Sequence, residues 1–103
     1  MTSLLCVRSV VPAPGDRHAF DEWYGKEHAM TAYKDFAPIR LWRCWSETDA
    51  SVHYAFYEFE SLERINDVAA SKAFADLVDD YTNTWGSRVS RSREILRVTH
   101  THP

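Results

Sequence analysis

Val52-His53-Tyr54-Ala55-Phe56-Tyr57-Glu58-Phe59-Glu60 is the stretch on which the fold turns. Side chains alternate across a strand, so Val52, Tyr54 and Phe56 point one way while Ala55, Tyr57 and Phe59 point the other. A strand with one wet face alternates apolar with polar; this one is apolar on both sides. Working outward, Ile39 to Ser46 reads as a strand in which Leu41 and Trp45 oppose Trp42 and Cys44. The polar turn Glu47 to Ser51 joins the two strands as a hairpin. Ser3 to Val11 is a further strand, with Leu5 and Val7 opposing Leu4, Cys6 and Val10, and it ends at the breaker cluster Pro12 to Gly15. Val89 to Thr99 completes a set of four.

Between the strands lie two helical patterns. After Asp16, a capping residue, Phe20, Trp23, Tyr24, Glu27, Met30 and Thr31 share a stripe at spacings of three and four. Gly25 weakens that helix by up to ~1 kcal/mol relative to Ala, so packing must hold it. The helix is expected to fray over Lys34 to Ala37, ahead of Pro38. The second pattern starts at Ser61, a good N-cap, and carries Leu62, Ile65, Val68 and Ala69, then Phe74, Leu77, Val78, Tyr81 and Trp85. The stripe slips around Ala70-Ser71-Lys72, which predicts a break with Ser71 recapping. Gly86 suits the C′ position.

The order β-α-β-β-α-β is the split-βαβ arrangement of ferredoxin-like α+β folds. Right-handed crossover then predicts an antiparallel four-stranded sheet of spatial order 4-1-3-2. Strands one and two are separated by strand three, about 10 Å apart at ~4.8 Å per neighbour, so Cys6 and Cys44 cannot bridge. Two helical segments cover one face of such a sheet only. The other face is too apolar to be left wet, and a second copy of the chain is the simplest cover. Two sheets packed face to face would make a barrel-like core; the alternative is a mildly apolar free surface. Arg8, His53 and the charges of strand four interrupt that apolar character, as polar groups lining a small ligand cavity would.

Composition bounds the rest. With 103 residues there is room for one domain. Aromatic residues make up 14 % of the chain, and rings at that density must stack in a core, an interface or around a ligand. The net charge of −3 argues against a nucleic-acid partner, whose binding rests on a dense basic patch. No window approaches the ~18 apolar residues of a membrane helix, and the start MTSLLCVRSVV has no signal-peptide pattern. Two cysteines make no disulfide scaffold, which fits a reducing cytoplasm. Arg88, Arg91, Arg93 and Arg97 crowd the last strand. They read as a solvated strand face, with a bound anion as the second reading.

The run Phe20-Asp-Glu-Trp23-Tyr24-Gly-Lys-Glu27-His28 resembles the first-helix signature of EthD-like proteins of the dimeric α/β-barrel superfamily, in which an aromatic pair precedes Glu-His by two residues. Tyr54-Ala-Phe-Tyr57-Glu58-Phe-Glu-Ser61-Leu-Glu is similar to that superfamily's third strand entering helix two. Ala37-Pro38-Ile39 stands where such proteins often carry Pro-Gly and an aromatic. The resemblance implies that residues 1–103 form a single dimeric α/β-barrel domain, a homodimer with a cleft where the first helix meets the sheet. Relatives include cofactor-free monooxygenases, haem-degrading enzymes, isomerases and polyketide cyclases.

Candidate chemistry centres on His28, whose neutral imidazole suits a general base. Tyr24, one helical turn earlier, can lie beside it and act as a catalytic hydrogen-bond partner. A structural His bonded to a backbone carbonyl or a carboxylate is the competing reading. Trp23 is a candidate wall of a binding site or a packing ring. His53 and Tyr57 flank the small Ala55 on one strand face and either line a cavity or form a hydrogen-bonded core pair. Glu27, on the apolar stripe, needs a partner such as Arg43 or Arg8, and Arg43 is itself a candidate binding residue. His100 and His102 form a tail motif without a third metal ligand, and Cys6 and Cys44 read as small core residues. The expectation is a site for a small aromatic or polyketide-like compound, with no metal and no cofactor. Its rivals are a non-catalytic structural or stress-related dimer and a haem-binding or haem-degrading protein.

Overall fold

The computed structural model describes residues 1–103 and orders four strands as β2-β3-β1-β4. They are β1 (Ser3–Val10), β2 (Arg40–Trp45), β3 (Val52–Phe59) and β4 (Ser90–Arg97). All neighbours are antiparallel. This is the expected order 4-1-3-2, with strand ends one or two residues inside the expected ones. The helices are α1 (Arg17–Trp23), α2 (Ala29–Phe36), α3 (Leu62–Ala69) and α4 (Lys72–Trp85). No helix is long and apolar enough to cross a membrane.

Local sequence accounts for two helix starts and a stop, whereas Asp16 makes no side-chain cap on α1 and pairs with Arg88 instead. Ser61 accepts a hydrogen bond from the Arg64 backbone N–H at 3.1 Å, and Ser71 accepts from that of Phe74 at 3.1 Å. The two hydroxyls therefore cap α3 and α4 separately, which is the break that the slipping stripe demands. Helix α2 stops at Ala37, whose φ of 47° is left-handed, and Pro38 blocks any continuation. Arg64 donates to the freed Phe36 carbonyl at 2.9 Å. Gly86, expected in a left-handed C′ position, is right-handed with φ −54°. The chain turns there through backbone bonds from Arg88 and Val89 to the Trp85 carbonyl, so no left-handed residue is needed.

Between α1 and α2 the chain winds as a π-helical turn, Tyr24–His28. A π turn carries one residue more than an α turn, so the inward positions shift by one. His28, Ala29 and Ala32 face inward, while Glu27, Met30 and Thr31 are exposed. This corrects the expected stripe. Glu27 is no buried carboxylate and pairs with neither Arg43 nor Arg8.

The strand register assigns the two faces. Ser3, Leu5, Val7 and Ser9 stand opposite Phe59, Tyr57, Ala55 and His53, and this side carries all the helices. Its core joins Leu5, Ala55, Tyr57 and Phe59 to Phe20, Tyr24, Phe36, Ile65, Tyr81 and Trp85. The opposite face presents Leu4, Cys6, Val10, Trp42, Tyr54 and Phe56, and no helix packs on it. Trp42 and Phe56 stack there with centroids 5.2 Å apart, and Tyr54 lies 6.1 Å from Phe56. Arg8 belongs to this open face and His53 to the helical one, so the two do not line a common space. Both cysteines are free, Cys6 buried and Cys44 exposed. Cys44 therefore sits on the uncovered side of the sheet and is no core residue of this chain.

Candidate active site

The π turn delivers His28 to the space between the helices and the sheet. The imidazole stacks on Trp23 with centroids 4.8 Å apart and planes 25° apart, and it meets the ring edges of Tyr24 at 4.8 Å and Tyr81 at 5.7 Å. No protein group hydrogen-bonds either ring nitrogen. Nδ1 is sealed from solvent without a partner, which leaves Nε2 as the nitrogen a ligand can reach. Burial, and secondarily the nearby Arg91 guanidinium, pulls the His28 pKa down to about 4. The ring is thus neutral near physiological pH, with its reachable nitrogen unengaged.

His28 forms part of the wall of a narrow cavity of about 40 Å³, well short of the roughly 300 Å³ at which small-molecule sites begin, so a ring enters only as the walls part. The other polar walls are Tyr24, Tyr57, Tyr81, Arg91 and Arg93; Val7, Ala32, Phe36, Phe74, Leu77 and Val78 supply the apolar remainder. The Tyr24 and Tyr57 hydroxyls share a hydrogen bond of 3.1 Å. Burial raises both phenol pKa values, that of Tyr57 to about 12, so both stay protonated; one O–H is spent in the shared bond and the other remains to donate. Tyr81 is tied to Ser9 Oγ at 2.7 Å. Aromatic walls, two phenols, an unengaged imidazole and two guanidiniums are groups that can hold a flat ring and move a proton on it once the walls part to admit it.

A second polar cluster lies towards the β2 edge. Arg43 Nη1 donates to Asp21 Oδ1 at 2.9 Å and to His53 Nε2 at 3.0 Å, while Trp45 Nε1 donates to the same Asp21 oxygen at 2.8 Å. A guanidinium has no acceptor, so Nε2 of His53 is the acceptor and its proton sits on Nδ1. That Nδ1 is buried without a partner, and the imidazole is ringed by Phe20, Tyr24 and Trp45 with centroids 4.8–5.4 Å away. Burial, then the Arg43 charge, brings the His53 pKa to about 4 as well. Gly25 makes room for this cluster, since a Cβ there would stand 2.7 Å from Nη2 of Arg43.

The structure thus divides the sequence candidates. Tyr24, His28 and Tyr57 meet in the cavity, with Trp23 behind His28. His53 and Arg43 form the second cluster and do not line the cavity. Tyr81, which the sequence offers only as part of a helical stripe, lines it too, as do Arg91 and Arg93, two of the four arginines for which a bound anion is the second reading. Arg91 and Arg93 carried a signal, being two residues apart and so on one strand face, but which face it was depended on the register opposite Ser9 and Val7. His100 Nε2 and His102 Nε2 lie 2.7 Å apart, and no group of three His, Cys, Asp or Glu side chains gathers anywhere in the chain.

The architecture defines the class, a ferredoxin-like α+β protein with its cavity under the helices, and solved structures share it. An EthD family protein from Bacillus halodurans superposes with a TM-score of 0.76 at 16% identity, covering 96% of this chain and 100% of that one. SnoaB from Streptomyces nogalater, described as a cofactor-independent oxygenase, gives 0.67 at 11% identity over 99% and 97%. A NIPSNAP family protein from Agrobacterium tumefaciens gives 0.63 at 11% over 96% and 89%. The EthD protein and SnoaB are of the dimeric α/β-barrel superfamily, so the resemblance read from the first helix and third strand holds at the level of the fold. No family model matches the chain, and no curated protein matches it in sequence.

Proposed function

We propose that the chain acts as a homodimer, closed through its open sheet face into an α/β barrel. Each copy, one domain spanning residues 1–103, binds or converts a small aromatic, polyketide-like compound beneath its helices. His28 is the proton acceptor through Nε2, Tyr24 and Tyr57 are its hydrogen-bonding partners, and Trp23 is the wall that holds the imidazole flat. Proton abstraction from a phenol or an activated C–H is chemistry these residues can perform without a metal. The fold shared with a cofactor-independent oxygenase supports the reading, and the free thiols fit a reducing cytoplasm. Most of the weight falls on one observation: a histidine held between three aromatic rings at a cavity wall, with no protein partner on either nitrogen.

Naphthol and anthrone, titrated while tryptophan fluorescence is followed, test the site. Saturable binding is expected, with weaker binding in His28→Gln and a smaller fluorescence change in Trp23→Phe. If turnover is found, His28→Gln should lower it by about 10²–10⁴-fold, the range for a general base. Absence of saturable binding of either compound would remove the reading. Sedimentation of the native chain and of Phe56→Asp tests the dimer. A charge in the Trp42–Phe56–Tyr54 stack should leave a folded monomer, and a native chain that is itself monomeric would end the barrel proposal.

A further inference from the structure

Arg91 and Arg93 are the only charged groups lining the cavity, and neither is paired. The five ion pairs of the chain engage Lys26, Arg40, Arg43, Lys72 and Arg88, and no hydrogen bond ends on either of these two side chains. The chain has acid to spare, with 15 Asp and Glu against 12 Lys and Arg. Glu94, the neighbour between them and Ile95, belongs to the opposite face of β4 and stands across from Cys6. Unpaired cations are ordinary at an open surface. Here one of the two, Arg91, is half-buried, where an uncompensated charge is costly.

Both guanidiniums are also held in place. Arg91 lies over the Tyr81 ring at 4.2 Å and Arg93 over the Phe74 ring at 5.1 Å. Stacking fixes the plane of the guanidinium and leaves its edge of N–H donors free, the fork that matches a carboxylate. The two charges repel each other, and Arg91 also disfavours protonation of His28. With no acid in the lining, the mouth of this apolar cavity carries a concentrated positive potential.

We propose that the cavity opens to take aromatic compounds bearing a carboxylate or an equivalent anionic oxygen group, which Arg91 and Arg93 bind at its mouth while the ring enters, as the walls part, among Tyr24, Tyr57 and Phe74. The proposal rests on the cavity reading given under Proposed function and narrows it to a chemical class. It also gives His28 a use for its low basicity. An anion seated on Arg91 offsets the repulsion that the imidazolium would feel, so a proton taken up by His28 is held better with ligand in place than without it.

The test compares naphthoate with its methyl ester, which share the ring and differ in charge, by calorimetry or tryptophan quenching near neutral pH at low and high salt. The acid should bind about tenfold or more tightly than the ester, as expected for a charge-assisted pair, and the advantage should shrink with salt. In Arg91→Gln and in Arg93→Gln the preference for the acid should fall while ester affinity stays within about twofold, which also shows that the variants are folded. Arg91→Lys should keep part of the preference. Equal affinity for acid and ester in the native protein would overturn this proposal and leave the cavity reading standing. A preference for the acid that survives undiminished in the double variant would place the anion elsewhere and overturn it too. Binding of neither compound would overturn both.

Discussion

His28 and His53 make an instructive pair. Both belong to one aromatic cluster, both have ring centroids 4.8 Å from Tyr24, and both have pKa values lowered to about 4 chiefly by burial. What separates them is the company of their nitrogens. His53 accepts from Arg43, which is itself held by Asp21, and it is shut off from the cavity by the rings around it. His28 has no protein partner and faces the cavity. A perturbed pKa is common to functional and structural groups; an unengaged nitrogen beside open volume belongs only to the first of these two.

The most direct substitution that breaks this contrast is Arg43→Ala. It strips His53 and Asp21 of their shared partner and leaves a fully buried imidazole unsatisfied. Breaking a buried pair costs about 3–5 kcal/mol, and the partial exposure of Asp21 reduces this to about 2 kcal/mol. A drop in melting temperature of roughly 8–16 °C follows at ~4–8 °C per kcal/mol, measured at fixed protein concentration. His28→Gln removes no hydrogen bond and should stay within ~1 kcal/mol of the native protein by the same measurement. Equal losses in the two variants would mean that the clusters are not structural and free in the way drawn here.

Acid titration sharpens the comparison. Above about pH 6.5 neither the folded nor the unfolded chain protonates these rings, and they contribute nothing to the pH dependence. Between the ordinary value of 6.5 and the folded value of about 4, the unfolded chain takes up protons that the folded one refuses. Stability therefore falls as pH falls through this window and, for this contribution, levels off below it. For the fully buried His53 the loss is on the order of 3 kcal/mol at ~1.4 kcal/mol per pH unit. The groups facing His53 are Arg43 and Asp21; those facing His28 are Tyr24, Tyr81 and Arg91. Denaturation curves at several pH values should show a shallower fall in His53→Gln and in His28→Gln than in the native chain. Naphthoate should flatten only the part that His28 contributes. A ligand that altered the His53 part instead would interchange the roles given to the two rings.

Much of the fold could be read from residue patterns because each signal was local and redundant. Ser61 and Ser71 announce two helix starts, Pro38 a stop, and the two-sided apolar pattern of β3 the uncovered face. The π turn escaped because Trp23, Glu27, Met30 and Thr31 fit an ordinary helical stripe. A competing series was present: Phe20, Tyr24, His28, Ala32 and Phe36 recur at strict spacings of four. In an α-helix that spacing drifts by about 40° per step, so those five residues share a face only if an added residue takes up the drift. His28, Tyr24 and Tyr57 could be named as candidates from chemical type, from their spacing and from the resemblance of the first helix. Arg91 and Arg93 could be named only among the four arginines of the last strand, with a bound anion as the second reading, because alternation on β4 gives two sets of side chains and only the pairing with β1 says which set meets the helices. The split of His53 and Arg43 from the cavity was likewise invisible, being decided by Asp21 and Trp45 from other elements.

The smallest effect expected is also the most discriminating. Gly25→Ala should gain up to ~1 kcal/mol of helix propensity. The new Cβ would stand 2.7 Å from Nη2 of Arg43, however, and Nη1 of the same guanidinium is bonded to Asp21 and His53 at 2.9 and 3.0 Å. The guanidinium cannot step aside without lengthening both bonds, so the gain is offset and a net loss of about 0.5 kcal/mol is expected. In an Arg43→Ala background there is nothing for the Cβ to strike, and the same substitution should become stabilising by up to ~1 kcal/mol. Chemical denaturation of the two single variants and the double variant reads this reversal of sign as a coupling energy. An identical effect in both backgrounds would mean that Gly25 and Arg43 act independently, and the space at Gly25 would then need a cause other than the His53 cluster.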